Sequence, residues 1–148
     1  MSQEFSIAGV SVSLPDGWRE MGREDSSLVV QSADELQQVT LSFLTLKTQA
    51  TFEEFQRMYK ERLDAERQQL VDGAIEPNPK PVQHGKVFGL VYSGGDRKTR
   101  RIFSTYLLLQ GTRLVTVYLE GFGIAPAKHT ETFKGLIATL NCRSERSG

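Results

Sequence analysis

Residues 86–109 read KVFGLVYSGGDRKTRRIFSTYLLL. From Val87 to Tyr92 and from Tyr106 to Leu109, almost every position is apolar. A strand with one solvated face alternates apolar and polar residues, whereas one that is apolar at successive positions needs cover on both sides. The stretch therefore predicts two strands, Lys86 to Tyr92 and Thr99 to Leu109, joined by Ser93-Gly94-Gly95-Asp96, in a sheet with a layer on each face.

Two helices on either side can supply those layers. Upstream, Thr51-Phe52-Glu53-Glu54 has the spacing of a capping box, in which the Thr hydroxyl and the Glu carboxylate each accept from the other's backbone N–H. The helix it opens runs to about Val71, with Gly73 as its expected stop. Phe52, Phe55, Tyr59, Leu63 and Leu70 share one stripe, with Met58 at its margin. Glu53 with Arg57, Lys60 with Asp64, and Arg62 with Glu66 are spaced for pairing on the other face. Downstream, Gly111 turns the chain into a strand from Leu114 to Glu120. Pro126 then suits the first turn of a helix from about Ala127 to Leu140, which buries Phe133, Leu136, Ile137 and Leu140.

Further out, Phe5 and Ile7, then Val10, Val12 and Leu14, alternate with small polar residues and read as half-buried strands. Leu14-Pro15-Asp16-Gly17-Trp18 ends them with turn chemistry. Leu28-Val29-Val30 is a short strand. Val39, Leu41 and Phe43, with Leu44 and Leu46 facing the other way, make a longer one. The prolines of Pro77-Asn78-Pro79-Lys80-Pro81 remove three donors, so this segment is an edge or a connector. The expected fold is α+β: an α/β/α sandwich around a mostly antiparallel sheet of about six to seven strands, with a helix on each face. At 148 residues the chain fits one domain, residues 1–148, with a core from about 5 to 141 and a flexible tail at 142–148.

Charge is balanced, 18 Lys+Arg against 18 Asp+Glu, so no global field draws in nucleic acid or an anionic membrane. The lone Cys142 has no internal disulfide partner. Met1-Ser2-Gln3-Glu4-Phe5 carries an early acid and no apolar h-region, so no signal peptide is expected. No apolar run approaches a membrane span. The expected location is the cytoplasm.

Candidate chemistry is sparse. Gly121-Phe122-Gly123 lies between a strand and a helix, but the third glycine of a dinucleotide-binding turn falls on Pro126, so a tight turn is the better reading. His84 and His129 have no metal-ligand spacing, and a Cys–His pair of Cys142 with His129 is awkward on one helix. No cofactor, metal site or catalytic set is expected. Glu120 closes an apolar strand and is either hydrogen-bonded structurally or poised for chemistry, with structure the better account. Arg97-Lys98-Thr99-Arg100-Arg101, with Arg113 across the next turn, forms the basic cluster. It reads first as a solvated hairpin tip and second as a partner-binding patch. The aromatic set Phe88, Tyr92, Phe103, Tyr106 and Tyr118 is expected in the core. A helix that covered its face incompletely would leave an apolar groove beside them.

The Leu14-Pro15-Asp16-Gly17-Trp18 turn, the Phe52-Glu53-Glu54-Phe55 helix, the paired long strands and the closing Phe133 to Leu140 helix together resemble the PsbP-like superfamily. Within it, they resemble the bacterial DcrB-like branch, over about Phe5 to Leu140. The resemblance implies the sandwich above and a binding or assembly role without catalysis. That branch includes the Eag chaperones, which shield hydrophobic segments of type VI secretion effectors. The resulting expectation is a non-enzymatic protein-binding domain. Its partner-binding candidates are Phe88, Tyr92, Arg100, Arg101, Tyr106 and Tyr118, its partner a hydrophobic segment of a secreted effector, and a homodimer through a strand edge is also open. The alternatives are a small-molecule binder with a pocket lined by Phe88, Tyr92 and Tyr118, and an enzyme using Glu120.

Overall fold

The capping box forms as read. In the computed structural model, which describes residues 2–75, 81–84 and 87–142, the Thr51 hydroxyl accepts from the Glu54 N–H and the Glu54 carboxylate accepts from the Thr51 N–H, each at 3.1 Å. Helix α1 (Phe52–Gln69) follows and turns extended at Leu70. Gly73 is not its stop. That glycine opens a short strand, where an added Cβ would collide with the Gly95 carbonyl oxygen. Two of the expected helix-surface partners also look inward instead. Arg62 donates to the Tyr92 hydroxyl at 3.0 Å, and Glu66 faces Arg101 at 3.6 Å.

The strands number β1 (Ser2–Ile7), β2 (Val10–Pro15), β3 (Arg19–Arg23), β4 (Ser27–Gln31), β5 (Gln37–Thr45), β6 (Gly73–Ile75), β7 (Val82–His84), β8 (Val87–Asp96), β9 (Arg101–Gln110), β10 (Arg113–Phe122) and β11 (Asn141–Cys142), with α2 at Pro126–Thr139. An antiparallel main sheet runs β3-β4-β5-β10-β9-β8-β6, with β7 also on β8. A second, three-stranded sheet runs β1-β2-β11. The α+β class holds, and the main sheet is wider than six or seven strands. Beyond α1, residues 77–80 of the proline-rich connector lie outside the described residues, as do Lys86, the expected start of the first long strand, and 143–148 of the expected tail.

β8 does not end at Tyr92. It continues through Ser93, Gly94 and Gly95 to Asp96, and the turn is Arg97 to Arg100, with Arg100 at φ 60°. Asp96 explains the shift. Its buried carboxylate accepts from the N–H groups of Val71, Asp72, Lys98 and Thr99, which fixes the turn and the approach of β6 together.

Register divides the side chains between two cores. Phe88, Leu90 and Tyr92 lie beside Leu109, Leu107 and Thr105, on the face where Phe55 and Leu63 of α1 pack. Leu41, Val117 and Leu119 point to the other face, against Phe133 and Leu136 of α2 and Val12 and Leu14 of β2. Neither layer spans the whole sheet. On the α2 side, β8 lies largely beyond α2 and the small sheet: Val91 is 44% exposed, and its partner Tyr106 and nearby Leu108 are half-buried. The expectation that Val87 to Tyr92 is covered on both faces is therefore corrected.

Candidate functional site

The six sequence-predicted residues fall on different surfaces. Phe88 is buried under α1, edge-on to Phe52 with ring centroids 5.2 Å apart. Tyr92 is fully buried there too. Tyr118 belongs to a half-buried ionic cluster. The Glu120 carboxylate accepts from Arg101 Nε at 2.7 Å and from the Tyr118 hydroxyl at 2.7 Å. Arg101 also donates to the Tyr118 hydroxyl, and its guanidinium lies 4.4 Å from the Phe103 ring centre. Burial first, and then the bond to Glu120, push the Tyr118 hydroxyl well above its usual pKa. Glu120 thus has structural partners, and Arg101 is engaged inside the fold. Arg100 is exposed at the turn, and Tyr106 lies on the opposite face of the sheet. Arg113 does not join the basic cluster. It starts β10 at the other end of the sheet, bonded to the Ala8 carbonyl and over the Phe43 ring.

Where β8 passes beyond α2, the sheet opens into a cleft of about 970 Å³. Its floor is Ser93, Gly94 and Gly95; α2's first turn forms one wall, and β6 with Arg97 and Arg100 the other. Glycine is required here: a Cβ on Gly94 would stand 2.7 Å from the Phe103 ring and 2.8 Å from the Ala74 carbonyl oxygen. Set into the wall is a polar relay. Ser93 Oγ and Ser104 Oγ are 2.7 Å apart, and Ser104 Oγ is 2.8 Å from His129 Nε2. His129 is 2% exposed, its Nδ1 has no hydrogen-bond partner, and burial pushes its pKa below the usual value. The imidazole touches Ser104, which is 3% exposed, and not the cleft-facing Ser93. The relay is thus built to orient a hydroxyl proton rather than to activate an accessible nucleophile.

No family model and no curated protein matches the sequence. Solved structures do. CyanoP, the cyanobacterial PsbP of Synechocystis sp. PCC 6803, superposes with a TM-score of 0.67 at 15% identity, over 96% of this chain and 92% of its own. The fold is PsbP-like. Mog1p, a Ran-binding protein of Saccharomyces cerevisiae, follows at TM-score 0.63 and 11% identity, over 95% of each chain. LpqN of Mycobacterium tuberculosis, involved in cell envelope biogenesis, reaches 0.62 at 9% identity, over 95% of this chain and 91% of that one. At such identities the likeness is one of architecture, and function has to be read from surfaces. On this PsbP-like frame, sequence reasoning weighed His129 only as a metal ligand or a partner of Cys142, and missed the cleft. Ser93, Ser104 and His129 lie far apart in the chain, and only the β8–β9 register and the placement of α2 bring them together. No helix among the described residues is long and apolar enough to cross a membrane.

Proposed function

We propose that this PsbP-like chain is a non-enzymatic protein-binding domain of the cytoplasm, a chaperone or adaptor for a secreted type VI effector. It would receive a hydrophobic segment of that effector on the uncovered part of the α2-side sheet face. The observation that carries the reading is the exposed strip of Val91, with Tyr106 and Leu108 beside it. An apolar sheet face left open by its own helix suits an amphipathic or extended partner segment. Exposed Arg100 would steer the approach, whereas Phe88, Tyr92, Arg101 and Tyr118 serve the fold from the α1 side. That Mog1p is a Ran-binding protein supports a protein partner for this architecture.

Val91→Asp and Tyr106→Asp test the reading, because each places a charge on the strip without entering the α1 core. Val91→Asp should keep the parent's melting temperature within a few degrees, and Tyr106→Asp should lower it because the ring also packs against the α2-side core. Both folded variants should lose at least about tenfold in affinity for the effector segment. Unchanged affinity in both folded variants would remove this surface from consideration.

A further inference from the structure

Independently of any protein partner, we propose that the cleft between β6, the glycine end of β8 and the first turn of α2 binds a small organic molecule through its carboxylate or phosphate group. The volume of about 970 Å³ lies within the range of small-molecule sites. The chemistry of the lining then decides the ligand class.

The relay has a direction. If His129 carried its proton on Nδ1, a buried N–H donor would be left without an acceptor, which costs more than an unmet ring-nitrogen lone pair. We therefore assign the proton to Nε2, which donates to Ser104 Oγ. Ser104 then donates to Ser93 Oγ, and the Ser93 proton is left to point into the cleft. The other groups on that side are donors as well. Ala125 and Pro126 line the cleft, and just behind them, in the first turn of α2, the backbone N–H groups of Ala127 and Lys128 have no intrahelical acceptor. Ala125 at the N-cap offers no side-chain oxygen, and the turn contains no acid. Arg100 Cζ lies 3.9 Å from where a Cβ on Gly123 would stand, which puts a guanidinium just before this turn. The buried carboxylate in the lining, Asp96, already accepts from four N–H groups. A hydroxyl, helix N–H groups and a guanidinium converging on one end call for an acceptor-rich anion. Asp72 at the exposed rim would accept from a hydroxyl or ammonium group at the ligand's other end.

The test uses the full chain, ¹⁵N-labelled, titrated with sodium phosphate and in a separate arm with succinate. Sodium chloride at equal ionic strength is the control. The expected result is a saturable shift of the Ser93, Gly95, Gly123, Ala127 and Lys128 amides with one of the two probes. Saturation by phosphate assigns a phosphate ester, and saturation by succinate a carboxylic acid. Ser93→Ala and Arg100→Gln should each weaken that probe about tenfold, and Arg100→Gln, at the exposed turn, should do so with the melting temperature unchanged. No saturable shift with either probe, or shifts that both variants reproduce undiminished, would overturn the proposal. Neither result depends on Val91 or Tyr106, so failure here leaves the protein-docking reading standing, and the reverse also holds.

Discussion

His129 is a titratable group held where its charged form is disfavoured, and that gives it a pH signature. Burial lowers its pKa from the ordinary 6.5. Between the folded and unfolded values, the unfolded chain binds more protons than the native one. The stability that the neutral imidazole contributes is therefore fully present above the unfolded value, and it is lost as pH falls toward the folded one. Urea unfolding at about pH 7.5 and about pH 5.5 should show a larger loss for the parent than for His129→Gln, which keeps a polar group near Ser104 but does not titrate. Because His84 is present in both proteins, the difference isolates His129. Equal losses would mean that the imidazole is not held neutral. Arg101 makes a second case. It is 14% exposed and faces both Glu120 and Glu66. Arg101→Met would leave these two carboxylates without their cation, at a cost of about 2 kcal/mol. Adding Glu120→Gln should recover part of that loss, a coupling that a double-mutant cycle measures directly. Simple additivity would show that the cluster contributes nothing as a unit.

At the scale of elements, what the sequence showed and what it hid follow from the same physics. Helix α1 was readable because its signals are local: a capping box four residues long and an apolar stripe at helical spacing. Strand β3 was not, since all five of its residues are exposed and no alternation marks a buried face. The tail of β8 was misread as a turn because two adjacent glycines are weak strand formers. Their purpose lies across the sheet, where Ala74 and Phe103 crowd Gly94. The candidate site was hidden for the same reason: its groups meet only through tertiary register. Gly94→Ala tests this account of the glycines. The added methyl must displace either the β6 backbone or the Phe103 ring, at a cost of about 2 kcal/mol. Amide exchange should speed up at Ala74 and Ile75 while the β9–β10 ladder keeps its protection. A strand that tolerated the methyl with unchanged exchange would show that β6 does not need the close approach.

At the scale of the whole molecule, one sheet serves two cores that share no side chains among the described residues. The α1 core and the α2 core meet only through the backbones of strands such as β9 and β10, whose residues alternate between them. Breaking either core releases the sheet that the other one needs, so the domain should unfold as one cooperative unit. Trp18 provides the probe. It is the chain's sole tryptophan and is buried in the α2-side core, so its fluorescence reports that core alone. Far-UV circular dichroism follows the main sheet and α1 as well. The two signals should trace the same urea transition in the parent. They should also coincide in Phe55→Ala, which removes a 1% exposed ring from the α1 core at roughly 3 to 5 kcal/mol. Leu136→Ala on the far side should cost roughly 2 to 5 kcal/mol. Because the two sites touch no common neighbour, the double variant should lose the sum to within about 0.5 kcal/mol. A Phe55→Ala protein whose circular dichroism transition preceded its Trp18 transition would show that the α2 core can stand without the α1 layer. The sheet would then be a scaffold with two separable faces rather than one folding unit.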